Sequence, residues 1–376
     1  MNNIKPEIQN IISLKKPIYV DRGTPSSNTP EAISRAGIQA INAKKTYYTD
    51  IRGTKSLRQI ISDSLHNKLG IKYNPEQEII VTPGAGPGIF ILIMALSSLG
   101  DSILIPDPCW PGYKSMINAL NRKAILYPML FKTNKNSIDK WNQKLQSLIT
   151  PKTRLIILNF PHNPTGINLN KQWLLSFADL LEKYPNLIIL SDETYHEIIF
   201  DNGKYISPVI LPELKSRSVL IHTLSKSYAM TGWRIGYVAA PLHLACQIYK
   251  THIAANCHAS SISQETAAYA LEHGSEIIKK FQQHYQFNRD YLISELNAFK
   301  KIKCLSPKGT FYAFPDISEF GVSSNEFVES LAESEKIFVY SGSIYGSMGE
   351  NHIRINFAVK FNILKELIHR LKRYIG

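Results

Sequence analysis

The chain has 376 residues, with 43 Lys and Arg against 30 Asp and Glu, for a formal net charge of +13. At this length a sizeable core is easily buried, and two domains or one large domain with a smaller appendage are expected. The basic residues are scattered apart from Lys279-Lys280, Lys300-Lys301-Lys303 and the C-terminal HRLKRYIG, each beside a helix-like pattern, so the charge reads as solvated helix faces able to draw anionic small molecules, and no nucleic-acid or membrane partner is expected.

In chain order, the N-terminal MNNIKPEIQN lacks the basic-then-apolar order of a signal peptide, which points to the cytoplasm. The longest apolar run, Ile89 to Leu99, is too short to span a bilayer and reads as a buried helix. Cys109, Cys246, Cys257 and Cys304 form neither a CxxC pair nor a metal-ligand spacing, so free thiols in a reducing compartment and no metal are expected. Short runs rich in Ile, Leu and Val recur as EIIVTPG, SILIPDP, RLIILNFPHNPTG, NLIILSDE, SVLIHTLSK and RIGYVAAP, most of them separated by helix-length segments such as Gly88 to Leu99 and Lys171 to Lys183. Strands apolar on both faces are what a parallel sheet covered by helices requires. The fold class is therefore α/β: a large domain over residues 36–280 with a mostly parallel sheet, and a smaller α+β domain built from both termini, an arm at 1–35 and a segment at 281–376. Within that second segment KGTFYAFPDI, KIFVYS and HIRINFA look like strands.

Ligands of such sheets bind beyond the carboxyl ends of the strands. Here those ends carry Gly84-Ala85-Gly86, Trp110, Asn163, Asp192 with Tyr195, and Lys226. A lysine at a buried strand end has its pKa lowered toward nucleophilic usefulness. Asp192 closes the apolar NLIIL, where an unpaired carboxylate is expensive, so a cationic partner is expected. Gly84 and Gly86, with Pro87 opening a helix, make a turn whose free N–H groups suit an anion such as phosphate. Taken singly these residues have plainer readings: a surface lysine at Lys226, core at Trp110, a packed aromatic at Tyr48, a turn former at Asn163, a surface ion pair at Arg354. Taken together they describe a pyridoxal phosphate pocket.

The order of these segments resembles the fold-type I pyridoxal-phosphate enzymes, specifically the class I aminotransferases of the aspartate and aromatic subgroup. The segments RGTPSSNTPEAI, YYTDIRGTKSLR, DPCWPGY, NFPHNPTG, SDETYHEIIF, LSKSYAMTGWRIGY and HIRINFA carry the resemblance over nearly the whole chain, the lysine segment and NPTG being the most specific pair. The resemblance implies that Lys226 holds pyridoxal 5′-phosphate as a Schiff base and then shuttles the proton. Arg234 would pair with the phosphate, helped by Thr223, the backbone N–H groups of Ala85 and Gly86, and Tyr48 from the neighbouring subunit of a homodimer. Asp192 would keep the pyridine nitrogen protonated, Asn163 and Tyr195 would hydrogen-bond the ring oxygen, and Trp110 would stack on the ring. Arg354, with Asn163 and the Gly23 backbone, would hold the substrate α-carboxylate. The implied activity is ping-pong transfer of the amino group of an α-amino acid to a 2-oxo acid.

Gly86-Pro87 departs from the polar pair that relatives often carry. His162 reads as a spacer and His258 as a structural histidine. The substrate side-chain pocket is expected from Tyr19-like N-terminal residues, the loop near Tyr113 and the partner chain. On the same scaffold a C–S β-lyase or another α-carbon enzyme is the runner-up. A non-catalytic cofactor-binding regulator is disfavoured, because the enzyme pattern starts by about Asp21 and leaves no room for a preceding DNA-binding domain.

Overall fold

All six apolar runs become strands of one seven-stranded sheet in the computed structural model, which describes residues 15–129 and 134–376. The segment MNNIKPEIQN, read above against a signal peptide, lies outside the described residues. In chain order the first eight strands are β1 Ile18–Tyr19, β2 Ile79–Thr82, β3 Ser102–Asp107, β4 Lys123–Pro128, β5 Thr153–Asn159, β6 Ile188–Asp192, β7 Ser218–Thr223 and β8 Gly236–Ala239. The large sheet has the order β2-β8-β7-β6-β5-β3-β4. Its neighbours from β4 through β7 pair parallel. Every residue of β2, β3, β6, β7 and β8 is buried, as strands covered on both faces must be.

Two features go beyond the sequence reading. β4, KAILYP, lies at the sheet's edge with only Tyr127 buried, and its apolar run is not among the six read above as strands. β8 runs antiparallel to both β7 and β2. The reason is local: residues 224–235 between β7 and β8 form two short helical turns instead of a covering helix, so the chain returns beside the strand it left. The connection therefore turns at the carboxyl edge of the sheet, and Lys226 and Arg234 both stand on that turn.

Helices cover the faces. Those used below are α1 Glu31–Asn42, α2 Lys55–Leu69, α3 Ala85–Leu96, α4 Pro111–Ala119, α5 Lys171–Leu181, α6 Ser275–Asn297 and α7 Phe361–Ile375. α2 is delimited by its own sequence: the Thr54 side chain accepts from the Leu57 N–H (3.4 Å), and Gly70 closes the other end at φ 72°. α3, expected over Gly88 to Leu99, starts at Ala85 and stops at Leu96, because Ser97 is extended. It packs against β7, β8 and the helix Leu242–Asn256.

A second core joins the two ends of the chain. β9 Tyr312–Ala313, β10 Ile337–Phe338, β11 Tyr340–Ser341 and β12 Ile353–Asn356 fall within the three segments read as strands. β12 pairs antiparallel with β9 and β11, while β1 from the N-terminal arm pairs parallel with β10. Leu364, Leu367, Ile368 and Leu371 of α7 recur at helical spacing and are all buried in this core. Each contributes about 1.5–3 kcal/mol by leaving water. Of the basic run HRLKRYIG, Lys372 and Arg373 face outward, Lys372 on Glu295 at 2.7 Å and Arg373 on Glu335, whereas Arg370 is buried and donates to the Lys16 and Glu335 carbonyls. Residues 36 and 280 fall inside α1 and α6, so helices run through both positions.

Candidate active site

The chemistry-bearing strand ends open into one cavity of about 410 Å³. Gly23, Ala85, Gly86, Trp110 and Asn163 line it, and so do Asp192, Tyr195, Thr223, Lys226, Arg234 and Arg354. Tyr48 does not: it is 88 % exposed and meets the edge of the His258 ring at 5.2 Å. His162 is fully buried with Nδ1 2.7 Å from the Thr165 hydroxyl, and burial pulls its pKa down to about 3, as a structural spacer requires.

Lys226 lies on the short helical turn Leu224–Ser227 that follows β7. Its Nζ donates to the Gly23 carbonyl at 2.5 Å. Burial first, then the positive charges of Arg354 and Arg234, lower its pKa to about 8, against the opposing pull of Asp192. An amine of that kind exchanges protons near neutral pH, which an ordinary lysine does not.

Asp192 ends β6 and is buried. One oxygen, Oδ1, accepts from the Thr194 N–H (3.1 Å) and hydroxyl (2.6 Å); Oδ2 accepts from the Tyr113 hydroxyl at 2.5 Å. Burial raises its pKa while these donors lower it. No cation pairs with it within 4.0 Å among the described residues, so the carboxylate is positioned but uncompensated.

The opposite requirement stands at α3. Gly84 precedes the helix at φ 96°, and a side chain there would lie 2.7 Å from Arg234 Nη2, so the arginine rests against bare backbone. The first N–H to close on the helix is that of Gly88, to the Gly84 carbonyl at 3.3 Å. The Ala85 and Gly86 N–H groups precede it at the positive end of the helix. Pro87 has no N–H to offer, so the departure at Gly86-Pro87 leaves the two preceding groups as the backbone donors. Arg234 takes a left-handed conformation at φ 51°, and its hydrogen bonds among the described residues go to the carbonyls of Thr231 (2.8 Å) and Pro83 (3.5 Å). The Thr223 hydroxyl sits beside this cup, 2.9 Å from both the Ile235 carbonyl and the Ser225 hydroxyl.

Arg354 comes from β12 in the second core and is 3 % exposed. Nη1 donates to Asn163 Oδ1 at 3.0 Å and Nη2 to the Asp21 carbonyl at 2.8 Å, while Nε has no partner among the described residues. It also lacks a carboxylate partner there. The Tyr312 ring, 4.0 Å from the guanidinium, offsets part of the burial. Such a contact, desolvated, is worth about 2 kcal/mol or more, and burying an ion costs several.

Four further residues were not anticipated. Tyr113, read above as part of a side-chain pocket loop, stands instead on α4 and holds Asp192; its position three residues after Trp110 could have placed it on the same side. Asn159 ties two strand ends, donating to the Asp192 carbonyl (3.1 Å) and accepting from the Asn163 N–H (3.0 Å). Tyr312 meets the Tyr195 hydroxyl at 2.8 Å, and Tyr345 lies 5.1 Å from Arg354. No local pattern announces the last two. Tyr19, in contrast, stacks on Phe338 at 4.9 Å, is 48 % exposed and is not among the residues lining the cavity.

The family model described as aminotransferase class I and II matches residues 15–371. The chain is 32 % identical to an aspartate aminotransferase of Pyrococcus horikoshii over 354 residues, covering 93 % of this chain and 88 % of that one. It is 33 % identical to a bifunctional aspartate aminotransferase and glutamate/aspartate-prephenate aminotransferase of Petunia hybrida over 370 residues, covering 95 % and 76 %. The crystal structure of an aromatic aminotransferase from Pyrococcus horikoshii superposes with a TM-score of 0.89 at 30 % identity, covering 98 % of each chain.

Proposed function

We propose a division of labour among the cavity residues of this chain, which belongs to the class I and II aminotransferase family. It is a pyridoxal-phosphate-dependent enzyme of the fold-type I class, and it transfers the amino group of an α-amino acid to a 2-oxo acid. The observation that carries the assignment of residues is a charge pattern: one cavity joins a buried, uncompensated carboxylate at Asp192, an anion cup without an anion-bearing partner at Arg234, and a buried guanidinium at Arg354, with Lys226 between them. A ligand with a protonated ring nitrogen and a phosphate meets the first two, so the residues present fit the cofactor. When bound, that cofactor supplies an electron sink for the pair left behind as a bond at the substrate α-carbon breaks.

The remaining chemistry belongs to the side chains. Arg234, the N–H groups of Ala85 and Gly86, and Thr223 would hold the phosphate. Asp192, fixed by Tyr113 and Thr194, would hold the proton on the ring nitrogen. Asn163 and Tyr195 would orient the ring oxygen, and Trp110, set edge-on against Tyr113 at 5.3 Å, would cover a ring face. Lys226 Nζ would anchor the cofactor, then take the proton from the substrate α-carbon and return it one position along. Arg354 would fork onto the α-carboxylate, beside the Gly23 backbone, and orient the bond to be broken.

Arg354→Ala tests the carboxylate assignment. Removing one member of a buried charge pair costs about 2–5 kcal/mol, so kcat/KM for an α-amino acid should fall by roughly 10²-fold, with the cofactor band retained. Unchanged KM in that variant would exclude Arg354 as the carboxylate fork.

We also read the protein as a cytoplasmic homodimer whose Tyr48 reaches the partner's phosphate cup. Support comes from the exposure of Tyr48, Tyr47 (76 %), Ile38 (56 %) and Ile41 (53 %), and from four cysteines that form no disulfide among the described residues. No helix of the described residues is long and apolar enough to cross a membrane. Sedimentation of a fully active monomer would overturn the shared site. The domain division at 1–35, 36–280 and 281–376 is retained on the same footing, with α1 and α6 running through the boundaries.

A further inference from the structure

Thr223 lines the cavity, and alternation along β7 turns its neighbour His222 to the other face of the sheet. There His222 stacks on His196, 4.0 Å between ring centroids at 28°. Glu197 completes a trio whose ligand-type atoms lie within 4.8 Å of one another, and Glu193 stands beside it. Exposure is 0 % at Glu193, 9 % at His196, 7 % at Glu197 and 1 % at His222, and the catalytic reading above uses none of them.

Glu193 holds the His222 ring, while His196 Nδ1 has no hydrogen-bond partner among the described residues. The Glu193 backbone carbonyl lies 2.9 Å from His222 Nδ1, and its carboxylate Oε2 lies 3.9 Å from His196 Nδ1. With its proton on Nδ1, His222 turns the Nε2 lone pair toward Glu197 Oε2 at 3.6 Å, while His196 Nε2 lies 3.9 Å from Glu197 Oε1. His222 Nε2, Glu197 Oε2 and Glu193 Oε2 have no hydrogen-bond partner among the described residues. Acceptors facing acceptors in a buried site need a cation between them. Lys68 on α2 reaches Glu197 Oε1 from a position 39 % exposed, but neither imidazole lone pair is met by it.

We infer that His196, Glu197 and His222 form a binding site for a divalent cation of the zinc class, with a fourth position open to water. Two imidazoles and one carboxylate are a borderline-soft donor set. Bonds of about 2.0–2.1 Å require donor separations of roughly 3.3–3.6 Å, so donor atoms that now lie within 4.8 Å of one another would draw together on the ion. Glu193 is the positioning residue, its carbonyl behind the ligating His222. Lys68 marks the entry and competes for Glu197. The ion would tie the turn after β6 to β7, the elements that carry Asp192 and Lys226.

The test uses the cofactor-loaded enzyme without amino acids, which would themselves chelate metal with the cofactor. Chelator-treated protein is titrated with Zn²⁺ and, separately, with Co²⁺, reading bound metal per chain and the visible Co²⁺ bands. One ion per chain is expected. His222→Ala and His196→Ala should weaken binding by at least about 100-fold, beyond what loss of an outer partner causes. Lys68→Met, a change at a half-exposed side chain that does not depend on refolding the core, should tighten it by about tenfold, one lost competitor. Failure of the unaltered enzyme to retain stoichiometric metal, equal affinity in the histidine variants, or equal or weaker affinity in Lys68→Met would each overturn the site.

Discussion

Lys226→Ala should lower kcat by about 10⁴-fold, the upper range for a positioned general acid-base group, while the pocket still takes up pyridoxal phosphate through Arg234 and α3. The size of the effect follows from what else could move a proton there. Burial raises the Tyr195 and Tyr312 hydroxyls above their usual range, so neither is a base near neutral pH. Tyr345 is raised for the same reason. Asp192 is committed to its donors. Lys226, pulled down to about 8, is the cavity group placed to exchange a proton at working pH. The sign of its pH dependence follows. In the cofactor-free chain the neutral amine increases about tenfold per pH unit below that value, so its capture of an aldehyde should speed up with rising pH and level off above about 8. A Lys226→Ala enzyme within tenfold of normal turnover would remove the lysine from the mechanism.

The second large effect is at Asp192. A carboxylate close to a titrating cation raises its pKa by about 1–3 units, each unit being about 1.4 kcal/mol. In this buried site, with Tyr113 and Thr194 fixing both oxygens, the upper end applies. Asp192→Asn should therefore lower kcat by about 10³-fold, with a much smaller change in KM, since the residue touches the ring and not the substrate carboxylate. A fall confined to KM would mean that Asp192 serves binding instead of electron withdrawal.

What could be read from the sequence, and what could not, divides along physical lines. The strands were legible because both of their faces are buried, which leaves unbroken apolar runs; β4 was passed over although Ala124 to Pro128 is itself apolar, and its edge position leaves it mostly half-buried. Lys226 and Arg234 were legible as a pair because a short antiparallel return brings them to the same edge. Asp192 was legible because a carboxylate ending an apolar strand has to be compensated. Its partner Tyr113 is 79 residues away, and the Tyr195–Tyr312 contact spans 117, so both pairings depend on how the layers stack. The aromatic surroundings of Arg354 have the same origin: Tyr312, Tyr340 and Tyr345 converge on it from separate segments. The His196, Glu197 and His222 trio escaped because two adjacent residues and a third on another strand make no recognisable spacing.

The most direct test of the central claim is the visible spectrum of the purified protein loaded with pyridoxal phosphate, recorded as single L-amino acids are added without an acceptor. A lysine-bound cofactor band that is bleached by a subset of amino acids, and restored by a 2-oxo acid, is the predicted result. A band that never forms in the unaltered protein, or bleaching accompanied by release of pyruvate and ammonia with no acceptor present, would contradict it.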